Sequence, residues 1–437
     1  MRENDSKRRD KNRTGFRKND ARKEDAREKH ARKKDVRKND VRKNDVRKND
    51  ARKKELVYAC PYFERCGGCS KLDLAYEKQL DQKMAYAKEL FGSFGKVDRI
   101  LGMKDPLHYR NKVHGVVMTD RKGNGFTGIY EEGSHHVIKV ESCLIEDRRA
   151  DAIMQSVASL MKSFKIRAYN EDRGYGFLRH ILVRTAHATG QVMVVLVTTS
   201  PVFPSKNNFV KALRKLHPEI TTIVVNINDR DTNMVLGERD IPLYGKGYIE
   251  DELCGKRFRL SPRSFYQVNS LQTEVLYRKA MDFAELTGKE TVIDAYSGIG
   301  TIGIIASEHA GQVIGVELNK DAVKDAITNA KMNHVKNVRF YHGDAGRFMV
   351  GMAEEGQKAD VVFLDPPRSG SDKNFLNSIL KLKPGRVVYI SCGPESLARD
   401  LKYLTSNGYK VVRLQPVDMF PMTAHMENVV LLERAHR

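Results

Sequence analysis

No stretch of this 437-residue sequence comes near the ~18 consecutive apolar residues that a membrane-spanning helix needs. Nor does an apolar core follow the charges at the N-terminus, which points away from a secretory leader. Cysteine is scarce. Six cysteines are too few to scaffold a chain of this length with disulfides, and three of them cluster at Cys60, Cys66 and Cys69, which points to metal instead. Acidic residues are outnumbered: 56 Asp and Glu against 77 Lys and Arg leave a net charge of +21. The reading is a soluble, cytoplasmic protein in a reducing compartment, with no membrane contact and no evident obligate protein partner. Its basic balance suits a polyanion, since phosphates attract Lys and Arg over long range.

The charge is uneven. Residues 1–55 hold 24 Lys and Arg against 12 Asp and Glu, a net of +12. Residues 21–55 repeat with a period of five, as in Asp-Val-Arg-Lys-Asn. Five residues advance a helix by ~140° beyond a full turn, so the repeat builds no apolar stripe. The expectation is a disordered basic tail over 1–55 that solubilises the chain or samples RNA phosphates.

Order is expected from about Leu56, with a helix over 71–92 that Gly92 stops and that is free to pack on the C-terminal domain described next. VHGVVMT, FTGIYEE and HHVIKV then read as strands between glycine-bearing turns. HILVRTA and VMVVLVT follow, joined at Thr189–Gly190, then TTIVVNIN. These hairpin signals predict an antiparallel α+β central domain ending at 260. From Ser261 the rhythm changes. TVIDAYSG, QVIGVEL, VRFYHGD, DVVFLDPP and RVVYISC read as short buried strands alternating with helices. That alternation predicts an α/β, doubly wound parallel sheet over 261–437, with ligands at the carboxyl ends of its strands.

The first of those strands runs into Gly298, Gly300 and Gly303, spaced to let a backbone approach a ligand at a helix N-terminus. Glu317 ends the next strand, 19 residues after Gly298, where an acid accepts hydrogen bonds from ribose hydroxyls. To this point NAD and S-adenosylmethionine are equally served. Asp344 at a third strand end and Asp365 at a fourth, the latter in Asp-Pro-Pro-Arg, favour S-adenosylmethionine. Cys392 ends the fifth strand beside the expected donor. C5 of uracil is a poor nucleophile unless a thiolate first adds to C6. The C5 proton must afterwards be removed before the thiolate leaves. Such chemistry needs a cysteine and a separate base, and Glu427 in TAHMENVVLLER is the candidate base.

With those residues in place, the chain resembles the RNA uracil-5-methyltransferases, which form 5-methyluridine in ribosomal or transfer RNA. The matching stretches are SPRSFYQVN (261–269), DAYSGIGTIG (294–303), GVELN (315–319), GDA (343–345), DPPRSG (365–370), SCGP (391–394) and HMENVVLL (425–432). The resemblance implies a Rossmann-like methyltransferase domain. It implies that Gln267, Tyr296, Glu317 and Asp365 bind S-adenosylmethionine, with Asp344 close to the donor. It implies Cys392 as nucleophile and Glu427 as base. The chain departs from the family's common Ser-Cys-Asn-Pro by placing Gly393 after the cysteine.

Cys60, Cys66 and Cys69 form a C-x5-C-x2-C pattern. Zinc sites more often use two separated pairs. Three close cysteines plus a remote one suit a [4Fe–4S] cluster, with Cys143 as the fourth ligand. Ribosomal-RNA members of the resembled family carry this pattern, so 23S ribosomal RNA is the expected substrate, with transfer RNA as the alternative. A non-catalytic RNA-binding protein on the same fold is a further alternative, against which the intact Cys392 and Glu427 speak. The stretch His108-Tyr109-Arg110-Asn111-Lys112 reads either as a site for phosphate contact and base stacking or as a basic strand edge. Many members of the family also begin with a small β-barrel, for which residues 1–55 have almost no strand pattern.

Overall fold

The computed structural model describes residues 56–435, apart from 132, 135 and 233. The basic repeat, and the expectation of a disordered tail, lie outside the described residues.

Two seven-stranded sheets organise residues 56–435. The first holds β1 (Lys112–Thr119), β2 (Gly125–Tyr130), β3 (Val137–Lys139), β4 (Leu178–Thr185), β5 (Val192–Thr198), β6 (Ile220–Ile227) and β7 (Arg239–Tyr244), in the order β3-β2-β1-β4-β5-β6-β7. Its neighbours are antiparallel except β5 and β6, which run parallel. The sequence reading missed that exception. A parallel pair needs a long crossover, and the helix Lys206–Leu216 provides it. Every residue of β4 and β5 is buried. One face, through Val183 and Val194, packs on the helices that carry Ile153 and Phe209. The other, through Leu182 and Val195, joins a cluster that continues into the second sheet at Val292, Phe363 and Val388.

After a small hairpin of β8 (Ile249–Leu253) and β9 (Lys256–Leu260), the second sheet holds β10 (Thr291–Ala295), β11 (Gln312–Glu317), β12 (Val338–His342), β13 (Val361–Leu364), β14 (Arg386–Ser391), β15 (Tyr409–Val417) and β16 (Glu427–Arg434). Their order is β12-β11-β10-β13-β14-β16-β15. The five strands read from sequence are parallel, and β16 inserts antiparallel between β14 and β15. Strand order reverses between β10 and β13, and a crevice opens at the carboxyl ends of the strands at such a point.

One further element shapes the site. Helix α1 (Tyr76–Phe91) precedes the first sheet, yet its Ala87 and Phe91 pack into the second, against a cluster with Ile293, Leu364 and Leu397. It starts five residues later than the sequence suggests. The amides of Ser70 and Lys71 donate to Met422 O at 3.0 and 3.1 Å, and the Gln79 side chain donates to the carbonyls of Lys71 and Leu74. Those bonds satisfy the groups that an earlier helical turn would have used.

Candidate active site at the strand ends

The loop after β10 folds back on the strand beside it. Tyr296, Gly298 and Gly300 have φ values of +64°, +54° and +85°. At Gly300 a side chain is also excluded by space, because a Cβ would lie 2.6 Å from the Phe340 ring. Glu317, at the end of β11, accepts from the amides of Gly298 (2.9 Å) and Asn319 (2.7 Å), so its carboxylate lies over the glycine loop. Leu318, beside Glu317, and Tyr341, near the end of β12, are exposed apolar side chains. Beneath the loop, Asp294 is fully buried and accepts from Gly303 N at 2.8 Å. Burial pushes its carboxyl up to about 7, against the opposing pull of that amide. The Tyr296 ring lies 5.0 Å from that of Phe375, and burial raises its phenol to about 12.

Asp344 is engaged locally. It caps the helix Ala345–Glu354 and accepts from Arg347 N at 2.8 Å.

Strand register brings the remaining residues together. Ala295 pairs with Leu364, so Tyr296 and Asp365 leave adjacent strands at the same level. Ser391 pairs with Asn428 in the antiparallel β14–β16 ladder, which sets Cys392 and Glu427 opposite each other one step further on. Asp365 is hydrogen-bonded by the Gln267 side chain. The Gln267 backbone carbonyl accepts from Asn111 Nδ2 at 2.9 Å, which ties this motif to the start of β1.

These groups share one electrostatic environment. Burial raises Asp365 to about 7, opposed by the bond from Gln267. Burial, and then the charge of Asp365, lift Glu427 well above the ordinary carboxylate range, while Arg368 opposes the rise. Glu427 Oε2 and both polar side-chain atoms of Asn428 are buried without a partner. Burial also raises the Cys392 thiol to about 11, with Glu427 and Asp365 adding to the rise and Arg368 countering it. Burial thus raises two carboxyls and a thiol that meet at this end of the sheet.

Cys392 opens into a cleft of about 460 Å³ lined also by Arg368, Gly393, His425, Lys83 and Tyr86. A Cβ at Gly393 would fall 2.3 Å from Arg368 O, which explains the glycine that follows the cysteine in this chain. Ser396 Oγ donates to the same carbonyl at 2.8 Å, so the Asp-Pro-Pro-Arg loop closes onto the cysteine loop. The sequence reading did not single out Lys83 or His425. A signal for Lys83 exists in the spacing of Tyr76, Gln79 and Lys83, polar residues at i, i+3 and i+7 on one helical face. A larger cleft of about 900 Å³ opens at the opposite end of β14, beside Arg386 and Glu433, away from these groups.

The clustered cysteines lie elsewhere. Cys60, Cys69 and Cys143 pack against one small core with Leu72, Tyr109 and Met422. Burial, and then the charges of Cys66 and Cys60, raise the Cys69 thiol to about 12. Burial and Glu146 raise that of Cys143, with Cys69 adding to it. Among the described residues, no group of three or more His, Cys, Asp or Glu side chains is arranged to hold a metal ion, so the expected metal centre is not evident in the side-chain arrangement itself.

One expectation for the 108–112 stretch is overturned. Tyr109 is buried and its hydroxyl donates to Pro421 O at 3.0 Å, so its ring is not offered for base stacking. Asn111 is buried too, and Lys112 is lowered to about 8 by burial and then by Arg184.

Comparison with known proteins agrees with this architecture. Residues 75–435 match the model of the tRNA (uracil-5-)-methyltransferase family. An uncharacterized RNA methyltransferase of Caldanaerobacter subterraneus subsp. tengcongensis is 44% identical over 379 residues, covering 86% of this chain and 84% of the relative. Another from Listeria monocytogenes serovar 1/2a is 45% identical over 377 residues, covering 85% and 83%. Among solved structures, the tRNA (uracil-54, C5)-methyltransferase of Pyrococcus abyssi, in complex with S-adenosyl-L-homocysteine, aligns with a TM-score of 0.72 at 28% identity. That alignment covers 86% of this chain and 88% of the other. The fold is the mixed α/β fold of S-adenosylmethionine-dependent methyltransferases, and the chain belongs to the tRNA (uracil-5-)-methyltransferase family.

Proposed function

We propose that this protein transfers a methyl group to C5 of a uridine in RNA through a covalent bond between Cys392 and C6 of the base. The observation that carries the reading is the placement of Cys392 across from Glu427 at one end of the β14–β16 ladder. The residues at the crevice suit S-adenosylmethionine. Glu317 over the glycine loop suits ribose hydroxyls, the exposed apolar side chains of Leu318 and Tyr341 suit an adenine, and Asp365 with Gln267 and Tyr296 flanks the path to Cys392. Asp344, the cap of the helix that follows β12, is proposed to approach the same donor. When bound, the donor supplies an electrophilic methyl group. In this mechanism the Cys392 thiolate adds to C6, which places negative charge on C5 and O4. C5 takes the methyl group as that group's bond to the donor sulfur breaks, leaving S-adenosylhomocysteine. Glu427 then removes the C5 proton, the electron pair re-forms the C5–C6 double bond, and the thiolate departs. A carboxyl raised by burial is suited to hold that proton near neutral pH.

The RNA proposed is 23S ribosomal RNA. This finer reading draws on Cys60, Cys66, Cys69 and Cys143, proposed here as ligands of a [4Fe–4S] cluster. Cys60, Cys69 and Cys143 meet at one small core, and the charges of Cys60 and Cys66 reach Cys69. Transfer RNA is the second reading, favoured by the family name and by the Pyrococcus abyssi structure. The test is methylation of 23S ribosomal RNA and of transfer RNA with labelled S-adenosylmethionine, followed by nucleoside analysis. 5-Methyluridine in ribosomal RNA supports the full proposal. The same nucleoside in transfer RNA alone moves the substrate to the second reading. A methylated exocyclic amine overturns the mechanism.

A further inference from the structure

We propose that Lys83 is a positioning residue of this reaction: paired with Asp418, it clasps the segment that leads into Glu427 and holds that carboxyl opposite Cys392. The inference goes beyond the proposed function and rests on its assignment of Glu427 as base.

The Lys83 and Asp418 side chains are 2% and 0% exposed, and Lys83 Nζ lies 2.6 Å from Asp418 Oδ1. Lys83 Nζ also donates to Phe420 O at 3.1 Å. The other Asp418 oxygen accepts from the Tyr76 hydroxyl at 2.8 Å, and that hydroxyl accepts from Met103 N. Four residues beyond Asp418, Met422 N donates to Gln79 Oε1 at 3.0 Å. Tyr76, Gln79 and Lys83 are therefore three teeth on one face of α1, and all three engage residues 418–422. The same segment is held by Asn269 Nδ2 at Met419 O and by Gln272 Nε2 at Asp418 O.

This segment belongs to the β15–β16 connection, which ends at Glu427, the first residue of β16. Glu427 is fully buried and one of its oxygens has no partner, so no hydrogen bond at that atom fixes its aim. Its position is set by the strand it begins and by the connection before it. A buried ion pair contributes little net stability against an apolar pair of the same size; here the pair, with the Tyr76 and Phe420 bonds, ties α1 to this segment in one geometry. Lys83 also lines the Cys392 cleft, so the clasp lies within reach of the reacting groups without being one of them.

A displaced base should slow proton removal while leaving donor binding and thiol addition in place. The experiment uses the full chain with RNA and S-adenosylmethionine, in parent, K83M, K83R and Y76F forms. Turnover, KM for the donor, S-adenosylhomocysteine affinity and the covalent protein–RNA fraction after denaturing electrophoresis are measured for each. K83M is expected to lose about 10²-fold in kcat, the scale of a 1 Å misplacement, with donor KM within about twofold. Its covalent fraction should rise because elimination stalls. Y76F, which removes one bond to Asp418 and keeps the ion pair, should show the same pattern more weakly. K83R should recover part of the rate. Since K83M leaves a buried carboxylate unpaired and threatens folding, Y76F and the S-adenosylhomocysteine affinity keep the test decisive. A K83M enzyme with parental kcat overturns the proposal. So does a rate loss matched by lost donor affinity with no rise in adduct. Failure of the parent itself to form 5-methyluridine would instead count against the proposed function.

Discussion

Cys392 and the cysteines at positions 60, 66, 69 and 143 are one residue type in two settings. Cys392 ends a parallel strand, and sheet register decides which groups face it. Its neighbours are the buried acids Asp365 and Glu427 and the cation Arg368. The clustered cysteines stand outside both large sheets, with Cys60, Cys69 and Cys143 packed around Leu72, Tyr109 and Met422. Their partners reach them through loops distant in sequence. The contrast teaches that a thiol's role follows from what positions it. Register sets the buried carboxyl of Glu427 across the ladder from the Cys392 thiol, the arrangement that the proposed mechanism uses. A loop-built group supplies several thiols to one another, which suits a shared ligand.

The sharpest way to break the comparison is to remove the proposed nucleophile. Cys392→Ala should lower turnover by on the order of 10⁴-fold or more, as loss of a covalent nucleophile does, while calorimetry shows S-adenosylhomocysteine affinity within about threefold of the parent. Residual turnover within tenfold of the parent would sink the covalent route. Glu427→Gln keeps the shape but cannot take the C5 proton. Its expected loss is about 10²–10⁴-fold, the range for general base catalysis, and denaturing electrophoresis should show a persistent protein–RNA band.

Turnover should also respond to pH with a definite sign. In the proposed mechanism the Cys392 thiol and the Glu427 carboxyl are each unprotonated when they act, and burial raises both. kcat/KM should therefore climb as pH rises from 6 to 9, by up to about tenfold per unit where one ionisation limits. A profile that falls over this range would contradict the assignment of both groups. The smallest effect on turnover is expected at the other cysteines. Cys143→Ser should lower iron content in protein prepared without air and lower the melting temperature by several degrees. S-adenosylhomocysteine affinity should stay unchanged. Stoichiometric zinc without iron, measured in the parent, would replace the cluster with a single-ion site.

The parallel sheet was legible because each strand and the residues that end it are contiguous in sequence. Gly298, Glu317, Asp365 and Cys392 each follow directly from a short apolar run, and only their order had to be read. The parallel β5–β6 pair was not legible, since the strand pattern is the same in either direction. Tyr109 as a core residue depends on Pro421, a neighbour 312 positions away that no local motif announces, whereas the Asp344 cap is local, reaching Arg347 N three residues on. The clasp from Lys83 to Asp418 joins residues 335 positions apart and leaves only a polar helical stripe as its trace. The start of α1 was misplaced for the same reason, because Met422 draws Ser70 and Lys71 out of the helix.

The central claim is a bond between Cys392 and the target uridine, and mapping that bond tests it most directly. Glu427→Gln protein is incubated with RNA and S-adenosylmethionine, digested with nuclease and protease, and analysed by mass spectrometry. The account predicts a methylated uridine attached to the peptide that carries Cys392. A nucleotide on any other residue, or 5-methyluridine released with no protein-bound nucleotide at all, would contradict it.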